Sequence, residues 1–230
     1  MSKIAALVLA AGKGSRMKSE CPKQFIEICG KPVVAYSLLE FEKCSKIQEI
    51  VLVTGQDDIA YCQKEIVERF GLRKVKKIVA GGTQRYWSVW NGLQEVSDSD
   101  YVLIHDGARP MITQQIIEDS IEEVVRTNAC TVGVPVKDTI KIVDDNGMGI
   151  DTPDRNTLWQ IQTPQSFRVE LLIAAYNKMR EEKCVNITDD TMIMEQFSGV
   201  KSKVIMGDYR NIKLTTPEDL FVAEKFLKNF

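Results

Sequence analysis

A loop of small residues, glycines and cations follows the first apolar run of the sequence. Residues 9–17 read LAAGKGSRM, and the cation Lys23 follows shortly after in the run PKQ. Glycines let the backbone approach a ligand closely, and consecutive backbone N–H groups can cradle phosphates. Arg16 and Lys23 beside such a loop suit a triphosphate and the charge that develops during phosphoryl transfer. A plain tight turn is the alternative, since the loop matches neither the dinucleotide fingerprint nor the Walker A motif.

A second polar cluster, HDGARP, occupies residues 105–110 after the apolar run that begins at Tyr101. Asp106 therefore lies at the carboxyl end of a predicted strand, where its carboxylate could bind a Mg²⁺ ion shared with phosphates. Alternatively, Asp106 caps the next helix or pairs with Arg109. His105 is the only histidine of the chain, and we interpret it as a structural residue rather than a general base.

The elements that position these clusters alternate between apolar, β-branched runs and runs with helical spacing. This alternation predicts an α/β fold with a doubly wound, mostly parallel sheet. The predicted strands are residues 4–10, 49–54, 77–80, 101–105 and 130–135, and the predicted helices are residues 33–43, 57–70, 83–96 and 113–126. Because ligands of such sheets bind beyond the carboxyl ends of the strands, the two clusters should meet at one edge.

Residues 138–159 interrupt this alternation with short strand-like runs around the turn Asn146-Gly147. Asn-Gly between such runs predicts a β-hairpin, and a hairpin projecting from a compact sheet would serve as an oligomerisation arm. Helices are predicted next at 169–182 and 190–196, followed by strands at 203–206 and 211–214 and a last helix that begins at Pro217. Residues 1–230 are expected to form a single domain that carries this dimerisation arm.

Composition excludes several classes of protein. Thirty basic and thirty-two acidic side chains give a net charge of −2, so no large positive field attracts nucleic acid or an anionic membrane. No apolar run is long enough to span a bilayer. Six cysteines without a C-x-x-C pair and one histidine argue against a zinc site and favour reduced thiols in a cytoplasmic protein.

Seven motifs occur in a fixed order along the chain. They are AAGKGSRM (10–17) with PKQ (22–24), HDGARP (105–110), VKDTIK (136–141), RNTLWQIQTPQSF (155–167), TDD (188–190) and NIKLTTPEDLFVAE (211–224). Together they resemble the 2-C-methyl-D-erythritol 4-phosphate cytidylyltransferase family of the non-mevalonate isoprenoid pathway. The resemblance implies a Rossmann-like nucleotidyltransferase fold. It also implies transfer of CMP from CTP to 2-C-methyl-D-erythritol 4-phosphate, with release of pyrophosphate.

The resemblance also implies roles for individual residues. The expected catalytic cations are Arg16, Lys23 and Lys213, and Asp106 is the expected ligand of Mg²⁺ or another divalent cation. The expected nucleotide-binding residues are Ala10, Ala11, Gly12, Gly14, Gly81, Gly82, Arg85 and Ser88. The expected residues for the acceptor are Asp106, Gly107, Arg109, Thr139, Thr188 and Lys213, with Arg155 supplied by the arm of the second subunit of a homodimer.

Three alternatives stay open at this point. A cytidylyltransferase for another polyol phosphate, such as ribitol 5-phosphate, would share the nucleotide half of the site. A dinucleotide-binding oxidoreductase lacks its fingerprint in this sequence, and a non-catalytic nucleotide sensor would not need the cations. Asp189 and Asp190 are either metal ligands or residues that orient Thr188 and cap the following helix.

Overall fold

The computed structural model describes residues 2–12, 22–182 and 186–228. Its strands are β1 (Ile4–Ala10), β2 (Glu27–Ile28), β3 (Lys31–Pro32), β4 (Glu49–Thr54), β5 (Val75–Ala80), β6 (Tyr101–Asp106), β7 (Ala129–Pro135), β8 (Ile142–Val143), β9 (Gly149–Asp151), β10 (Trp159–Arg168) and β11 (Lys203–Met206). Its helices are α1 (Val33–Lys43), α2 (Ile59–Tyr61), which a π-helical segment (Cys62–Glu68) continues, α3 (Arg85–Gln94), α4 (Gln114–Thr127), α5 (Val169–Glu181), α6 (Asp190–Ser198) and α7 (Pro217–Leu227).

A seven-stranded sheet in the order β11-β7-β10-β6-β1-β4-β5 forms the centre of the fold. Strand β10 runs antiparallel to both of its neighbours, and the other pairs are parallel. The predicted α/β fold with a mostly parallel, doubly wound sheet is therefore confirmed. Strands β1, β5 and β6 end at the same edge of the sheet, which is where both chemical clusters were expected to lie.

Helices cover both faces of this sheet, which explains the continuous apolar character of β1. Successive side chains of a strand point to opposite faces. Ala6 and Val8 accordingly belong to one buried cluster, which includes Leu38 of α1 and Ile117 of α4. Alternate residues of the same strand, such as Leu7, belong to a second buried cluster, which includes residues of α3 and α5. The sheet is thus the middle layer of three.

Helix boundaries follow the signals in the sequence. Thr113 caps α4 by accepting a hydrogen bond from the backbone N–H of Ile116, and Asn128 ends the helix in a left-handed conformation with φ 65°. Thr216 and Asp219 form a capping box at the start of α7, with Pro217 in its first turn. The predicted start of the last helix is confirmed.

Two differences from the prediction concern the part of the chain beyond the hairpin. Residues 159–168 form the long antiparallel strand β10. This strand was not predicted, because polar residues such as Gln162 and Gln165 interrupt the apolar pattern of a strand. The strand predicted at 211–214 is wrong, because this segment is a loop. Side chains hold that loop in place: Asn211 Nδ2 donates to the Thr163 carbonyl at 3.0 Å, and the Asn211 carbonyl accepts from Arg109 Nη1 at 2.7 Å.

The predicted hairpin forms around residues 144–147, with β8 and β9 paired antiparallel. The Asp144 side chain accepts hydrogen bonds from the backbone N–H groups of Asn146 and Met148. Several apolar side chains on this arm are exposed, among them Ile142 at 47% and Ile150 at 67%. These side chains form an apolar surface that has no covering layer in the described chain. An isolated two-stranded hairpin of this kind is only marginally stable in water.

No helix within residues 2–12, 22–182 and 186–228 is long and apolar enough to cross a membrane. Cys29, Cys44, Cys62 and Cys130 are free thiols, as predicted, while Cys21 and Cys184 lie outside the described residues. Burial raises the pKa of the Cys62 thiol to about 11 and that of the Cys130 thiol to about 12. These two buried thiols are therefore poor nucleophiles near neutral pH.

Candidate active site

Two adjoining cavities lie at the carboxyl edge of the sheet. The larger, here called the large cleft, has a volume of about 860 Å³. It is lined by Leu9, Ala10, Ala11, Gly12, Lys23, Gln24, Gly81, Gly82, Thr83, Gln84, Arg85, Ser88, Asp106, Ala108 and Lys213. The smaller, here called the small cavity, has a volume of about 250 Å³ and is lined by Arg85, Asp106, Arg109, Ile161, Gln162, Thr163, Gln165, Thr188, Asp189 and Lys213.

The first wall of the large cleft is the loop that follows β1. Gln24 is buried, and its Nε2 donates a hydrogen bond of 2.6 Å to the Ala10 carbonyl, which anchors the short turn that carries Lys23 to the end of β1. The structure thus brings Ala10, Ala11, Gly12 and Lys23 together, as the sequence predicted. Gly14 and Arg16, also predicted site residues, lie outside the described residues.

The opposite wall consists of the turn after β5 and the start of α3. Ser88 Oγ accepts a hydrogen bond from the backbone N–H of Gly82 at 3.0 Å and lies 3.3 Å from the Gln84 carbonyl. A Cβ atom at Gly81 would collide with Ala11 Cβ and Ser88 Oγ. Only glycine therefore allows the two walls to approach each other this closely, which supports the predicted grouping of Gly81, Gly82 and Ser88 with the first loop.

Asp106 lies where the two cavities meet and is held by two cations. Arg85 Nε lies 3.1 Å from its Oδ1, and Lys213 Nζ lies 2.7 Å from its Oδ2. Burial alone would raise the pKa of this carboxyl, but Arg85, Lys213 and Arg109 together lower it well below its usual value. Pairing of Asp106 with Arg109 was one alternative that the sequence left open. In the structure, the backbone N–H of Arg109 donates to the Asp106 carbonyl at 2.9 Å.

Arg85 has a second carboxylate partner that sequence reasoning did not connect to it. Its Nη1 lies 2.8 Å from Oδ2 of Asp190, and Asp190 is fully buried. Tyr176 Oη donates to the other carboxylate oxygen of Asp190 at 2.7 Å. Burial alone would lower the pKa of Arg85, but Asp190 and Asp106 raise it. The predicted nucleotide-binding Arg85 is thus part of a buried network that reaches α5.

Asp189, next to this network, caps α6. Its Oδ1 accepts a hydrogen bond of 2.9 Å from the backbone N–H of Met192, and its Oδ2 accepts one of 2.9 Å from Gln165 Nε2. This confirms the capping alternative of the two that the sequence left open for Asp189. Among the residues the structure describes, no group of three or more His, Cys, Asp or Glu side chains could hold a metal ion by itself.

His105 has a structural environment, as the sequence analysis interpreted it. The residue is fully buried, its Nε2 lies 3.1 Å from the Arg109 carbonyl, and its Nδ1 lies 3.0 Å from Thr163 Oγ1. Thr163 Oγ1 also accepts a hydrogen bond from the backbone N–H of Asp106. Burial lowers the pKa of His105 to about 4. A neutral, enclosed imidazole supports the positions of Asp106 and Arg109 and is inaccessible to a substrate.

Arg109 and Thr188, two of the predicted acceptor residues, both line the small cavity. Arg109 Nη1 donates to the Asn211 carbonyl, whereas its buried Nε has no hydrogen-bond partner in the part of the chain that is described. Burial lowers the pKa of this guanidinium. A buried donor without a partner is costly in free energy, and an anion in the small cavity could satisfy it.

Three predicted acceptor residues lie elsewhere within the described chain. Gly107 belongs to the turn after β6, where its N–H donates to the Leu9 carbonyl at 2.8 Å. Thr139 and Arg155 are exposed residues of the arm region and are absent from the lining of both cavities. Arg155 Nη1 donates to the Lys137 carbonyl at 3.0 Å. The described chain therefore does not bring these two residues to either cavity.

The electrostatics of the two cavities favour anionic ligands. The described lining of the large cleft includes three basic residues, Lys23, Arg85 and Lys213, against one acidic residue, Asp106. The small cavity adds the cation Arg109 and the acidic residue Asp189, so its described lining has three basic and two acidic residues. The arrangement can hold two anions side by side, with Asp106 and Lys213 between them, and this is the geometry that a transfer between two phosphorylated molecules requires.

Comparison with known proteins agrees with this geometry. The family model described as "IspD: 2-C-methyl-D-erythritol 4-phosphate cytidylyltransferase" matches residues 4–229. The 2-C-methyl-D-erythritol 4-phosphate cytidylyltransferase of Lachnospira eligens is 49% identical over 225 residues, which cover 97% of this chain and 98% of that relative. The protein of the same name from Caldanaerobacter subterraneus subsp. tengcongensis is 46% identical over 226 residues, covering 98% of this chain and 99% of that relative.

Solved structures give the same result. The 4-diphosphocytidyl-2C-methyl-D-erythritol synthase of Anaerococcus prevotii superposes with a TM-score of 0.86 at 34% identity, covering 99% of this chain and 96% of that one. The 2-C-methyl-D-erythritol 4-phosphate cytidylyltransferase of Francisella tularensis superposes with a TM-score of 0.81 at 26% identity, covering 97% and 99%. With its motifs in order, its sheet and its paired cavities, the chain belongs to the 2-C-methyl-D-erythritol 4-phosphate cytidylyltransferase family.

Proposed function

We propose that this protein transfers CMP from CTP to 2-C-methyl-D-erythritol 4-phosphate, giving 4-diphosphocytidyl-2-C-methyl-D-erythritol and pyrophosphate. As a member of its family, the protein is a nucleotidyltransferase. The observation that carries the proposal is the junction of the two cavities at Asp106, Arg85 and Lys213. A site for two substrates must bring both to one point, and these three side chains line both cavities.

The large cleft would bind CTP. Ala10, Ala11 and Gly12 expose backbone at one wall, and Gly81, Gly82 and Ser88 form the other. Lys23 lines the same cleft and supplies a cation for the triphosphate, and Arg16 would add a second one. Backbone N–H groups and fixed cations are the donors that bind phosphates in such loops.

The small cavity would bind the phosphate of the acceptor. A phosphate monoester has a second pKa near 6 and is mostly a dianion at neutral pH, so it can attack without a general base. The environment of His105 agrees with this, because the only histidine of the chain is buried and its pKa is lowered to about 4. Arg109, Lys213 and Thr188 would hold the acceptor phosphate in place.

The reaction joins an oxygen of the acceptor phosphate to the α-phosphorus of CTP and breaks the bond from that phosphorus to pyrophosphate. Its main obstacle is repulsion between two anions. Lys23, Arg16 and Lys213 would offset this repulsion and stabilise the additional charge on the α-phosphate in the transition state. The junction of the cavities would fix the in-line approach.

The site fits a divalent cation that arrives with the nucleotide. Asp106 is the acidic residue among the described lining of the large cleft, and Mg²⁺ usually binds one or two carboxylates together with substrate phosphates and waters. Asp106 would therefore hold Mg²⁺ or another divalent cation. When bound, such an ion neutralises charge on the phosphates. In the described chain, both carboxylate oxygens of Asp106 contact a cation, Arg85 or Lys213, so the ion would share this carboxylate with them.

The arm at about residues 138–159 would make the protein a homodimer in which each arm reaches the partner. Exposed apolar side chains such as Ile142, Met148 and Ile150 support an interface. In this arrangement, the arm of one subunit would bring Arg155 and Thr139 to the acceptor in the other subunit. The organisation of the chain as one nucleotidyltransferase domain with this arm, and its cytoplasmic location, stay predictions.

Pyrophosphate release tests the proposal. The purified protein is incubated with Mg²⁺, one of the four common nucleoside triphosphates and either 2-C-methyl-D-erythritol 4-phosphate or ribitol 5-phosphate. We expect release with CTP and the methylerythritol phosphate together and with neither alone. Equal or faster release with ribitol 5-phosphate would assign the protein to another polyol phosphate. Binding of CTP without any release would indicate a nucleotide sensor.

A further inference from the structure

A chain of buried polar contacts runs from α5 to the junction of the two cavities. Tyr176 Oη donates to Asp190 Oδ1 at 2.7 Å, Asp190 Oδ2 accepts from Arg85 Nη1 at 2.8 Å, and Arg85 Nε donates to Asp106 Oδ1 at 3.1 Å. Tyr176 and Asp190 are both fully buried. The network therefore connects the active-site carboxylate to residues that no substrate can reach.

The position of Asp190 is fixed from three sides. Its two carboxylate oxygens bind Tyr176 and Arg85, and its backbone N–H donates to Gln165 Oε1 at 2.9 Å. Gln165 also donates to Asp189, so β10 holds the start of α6 through both ends of one amide group. The ring of Tyr176 stacks on Trp90 of α3 with 5.9 Å between ring centroids. Asp190 is thus a rigid support for Arg85.

This support fixes the orientation in which Arg85 meets Asp106. A guanidinium and a carboxylate alone can pair through two parallel hydrogen bonds. With Nη1 of Arg85 anchored to Asp190, Nε of Arg85 donates to Oδ1 of Asp106, and Oδ2 of Asp106 faces Lys213 Nζ at 2.7 Å. Without Asp190, Arg85 could turn to take both oxygens of Asp106 and displace Lys213 from the junction.

We propose that Asp190, supported by Tyr176, is a positioning residue that acts through Arg85 on Asp106 and Lys213. This inference rests on the proposed function, since Asp106 and Lys213 matter only if both substrates meet there. Asp190 and Tyr176 do not line either cavity as described, so neither touches CTP or the acceptor. Removing the charge of Asp190 disturbs the junction and leaves the loop at Ala10–Gly12 and the turn at Gly81 unchanged.

Two variants and a matched control test this role. Asp190→Asn removes the charge at nearly constant shape, and Tyr176→Phe removes one hydrogen bond to Asp190 and keeps the ring. Tyr36→Phe is the control, because Tyr36 Oη also donates one hydrogen bond, to the Ile28 carbonyl, at a partly buried site outside both cavities. Pyrophosphate release is measured with varied CTP and varied acceptor, next to the melting temperature and the folded fraction of each variant.

We expect Asp190→Asn to lower kcat at least about tenfold per folded molecule and to change KM for CTP less than about threefold, because nucleotide contacts far from the junction remain. Tyr176→Phe should have a smaller effect of the same kind, and Tyr36→Phe should have none. The opposite split, with a raised KM for CTP and normal kcat, would overturn the role. So would a loss of activity that merely follows the folded fraction.

A double-mutant cycle tests whether Asp190 acts through Arg85 or independently of it. If Asp190 acts through Arg85, then Arg85→Gln combined with Asp190→Asn should lose no more kcat than Arg85→Gln alone. Multiplied losses would contradict the inference. If Asp190→Asn does not fold, the same cycle is run with Tyr176→Phe. A wild-type protein and a Tyr36→Phe control that release no pyrophosphate would instead contradict the proposed function, so the two failures are distinguishable.

Discussion

Lys213 Nζ lies 2.7 Å from Asp106 Oδ2, although Lys213 belongs to the loop after β11 and Asp106 ends β6. The loop is held in this position by separate side-chain and backbone hydrogen bonds rather than by strand pairing. The Asn211 carbonyl accepts from Arg109, and the Leu214 N–H donates to the Ala108 carbonyl at 2.9 Å. Lys213 and Asp106 both line the two cavities. The Lys213 ammonium group is therefore close to both expected substrates.

Lys213→Ala should therefore weaken the reaction chiefly through the acceptor. The variant loses a fixed cation at the junction, and removal of one preorganised transition-state contact costs about 100- to 1000-fold in rate. We expect kcat/KM for 2-C-methyl-D-erythritol 4-phosphate to fall about 100-fold or more, with KM for CTP nearly unchanged. Lys201→Ala, at an exposed lysine, is the control and should behave as wild type. An unaltered KM for the acceptor would count against this placement of Lys213.

Lys23→Ala should lower turnover without a comparable loss of folded protein. Lys23 lines the large cleft in the turn that Gln24 anchors to β1, and its proposed role is to stabilise charge on the α-phosphate. We expect kcat to fall at least about 100-fold in a steady-state assay with both substrates saturating. Lys203→Ala, at an exposed residue of β11, serves as the matched variant. Near-normal turnover of Lys23→Ala would remove Lys23 from the catalytic role.

Local patterns in the sequence were sufficient to predict the frame of the site. β1, β6 and α4 have the predicted type and nearly the predicted bounds. A strand buried on both faces has a continuous apolar run, and an amphipathic helix has apolar residues at helical spacing, so both can be recognised in the sequence. The family resemblance that the ordered motifs indicated then implied further residues that line the large cleft, including Gly81 and Ser88. These predictions succeed because each depends on neighbours in the sequence or on one ordered set of motifs.

The parts that could not be predicted depend on contacts between distant segments. Gln165, in the unpredicted strand β10, is polar although it is buried. Its side-chain amide donates a hydrogen bond to the Asp189 carboxylate and accepts one from the backbone N–H of Asp190. Tyr176 occupies an apolar face of α5, and nothing in its spacing indicates that its hydroxyl reaches Asp190. Residues 211–214 have the pattern of a strand, but separate side-chain and backbone hydrogen bonds take the place of a strand ladder there.

Gly12→Ala should impair CTP binding without lowering the stability of the fold. Among the residues that the structure describes, none has an atom within 4 Å of a Cβ atom at Gly12, so the substitution should leave the melting temperature within about 2 °C of wild type. If CTP occupies the cleft beside this loop, the added methyl group should raise KM for CTP several-fold. Gly149→Ala is the control, because a Cβ atom there also meets no atom of the described chain within 4 Å. Equal KM values in both variants would argue against nucleotide contact at Gly12.

Acid should destabilise the protein through His105. Burial lowers the pKa of this residue from 6.5 to about 4. Below pH 6.5 the unfolded chain takes up a proton that the native state does not bind until about pH 4, so the free energy of unfolding decreases as the pH falls through this window. Between pH 7.5 and pH 5 the loss should be about 2 kcal/mol, measured by urea denaturation.

The control for this prediction is His105→Gln, which removes the only histidine of the chain. Its starting stability will be lower, since the contacts with Arg109 and Thr163 change, but its loss between pH 7.5 and pH 5 should be smaller than that of the wild type by about 2 kcal/mol. Parallel pH dependences in the two proteins would show that other groups cause the destabilisation.

Mixed dimers should reveal whether the arm acts on the partner subunit. Arg155→Ala chains and Lys23→Ala chains should each be poorly active alone. In a mixed dimer with exchanged arms, the intact cleft of the Arg155→Ala chain receives an intact arm, which restores one of two sites. Random pairing of equal amounts should then recover about a quarter of the wild-type activity, because half of the dimers are mixed. Mixing Lys23→Ala with Lys213→Ala, two cleft variants, should restore nothing, since no cleft is then intact. If the first mixture also stays inactive while sedimentation shows mixed dimers, Arg155 does not act across the interface.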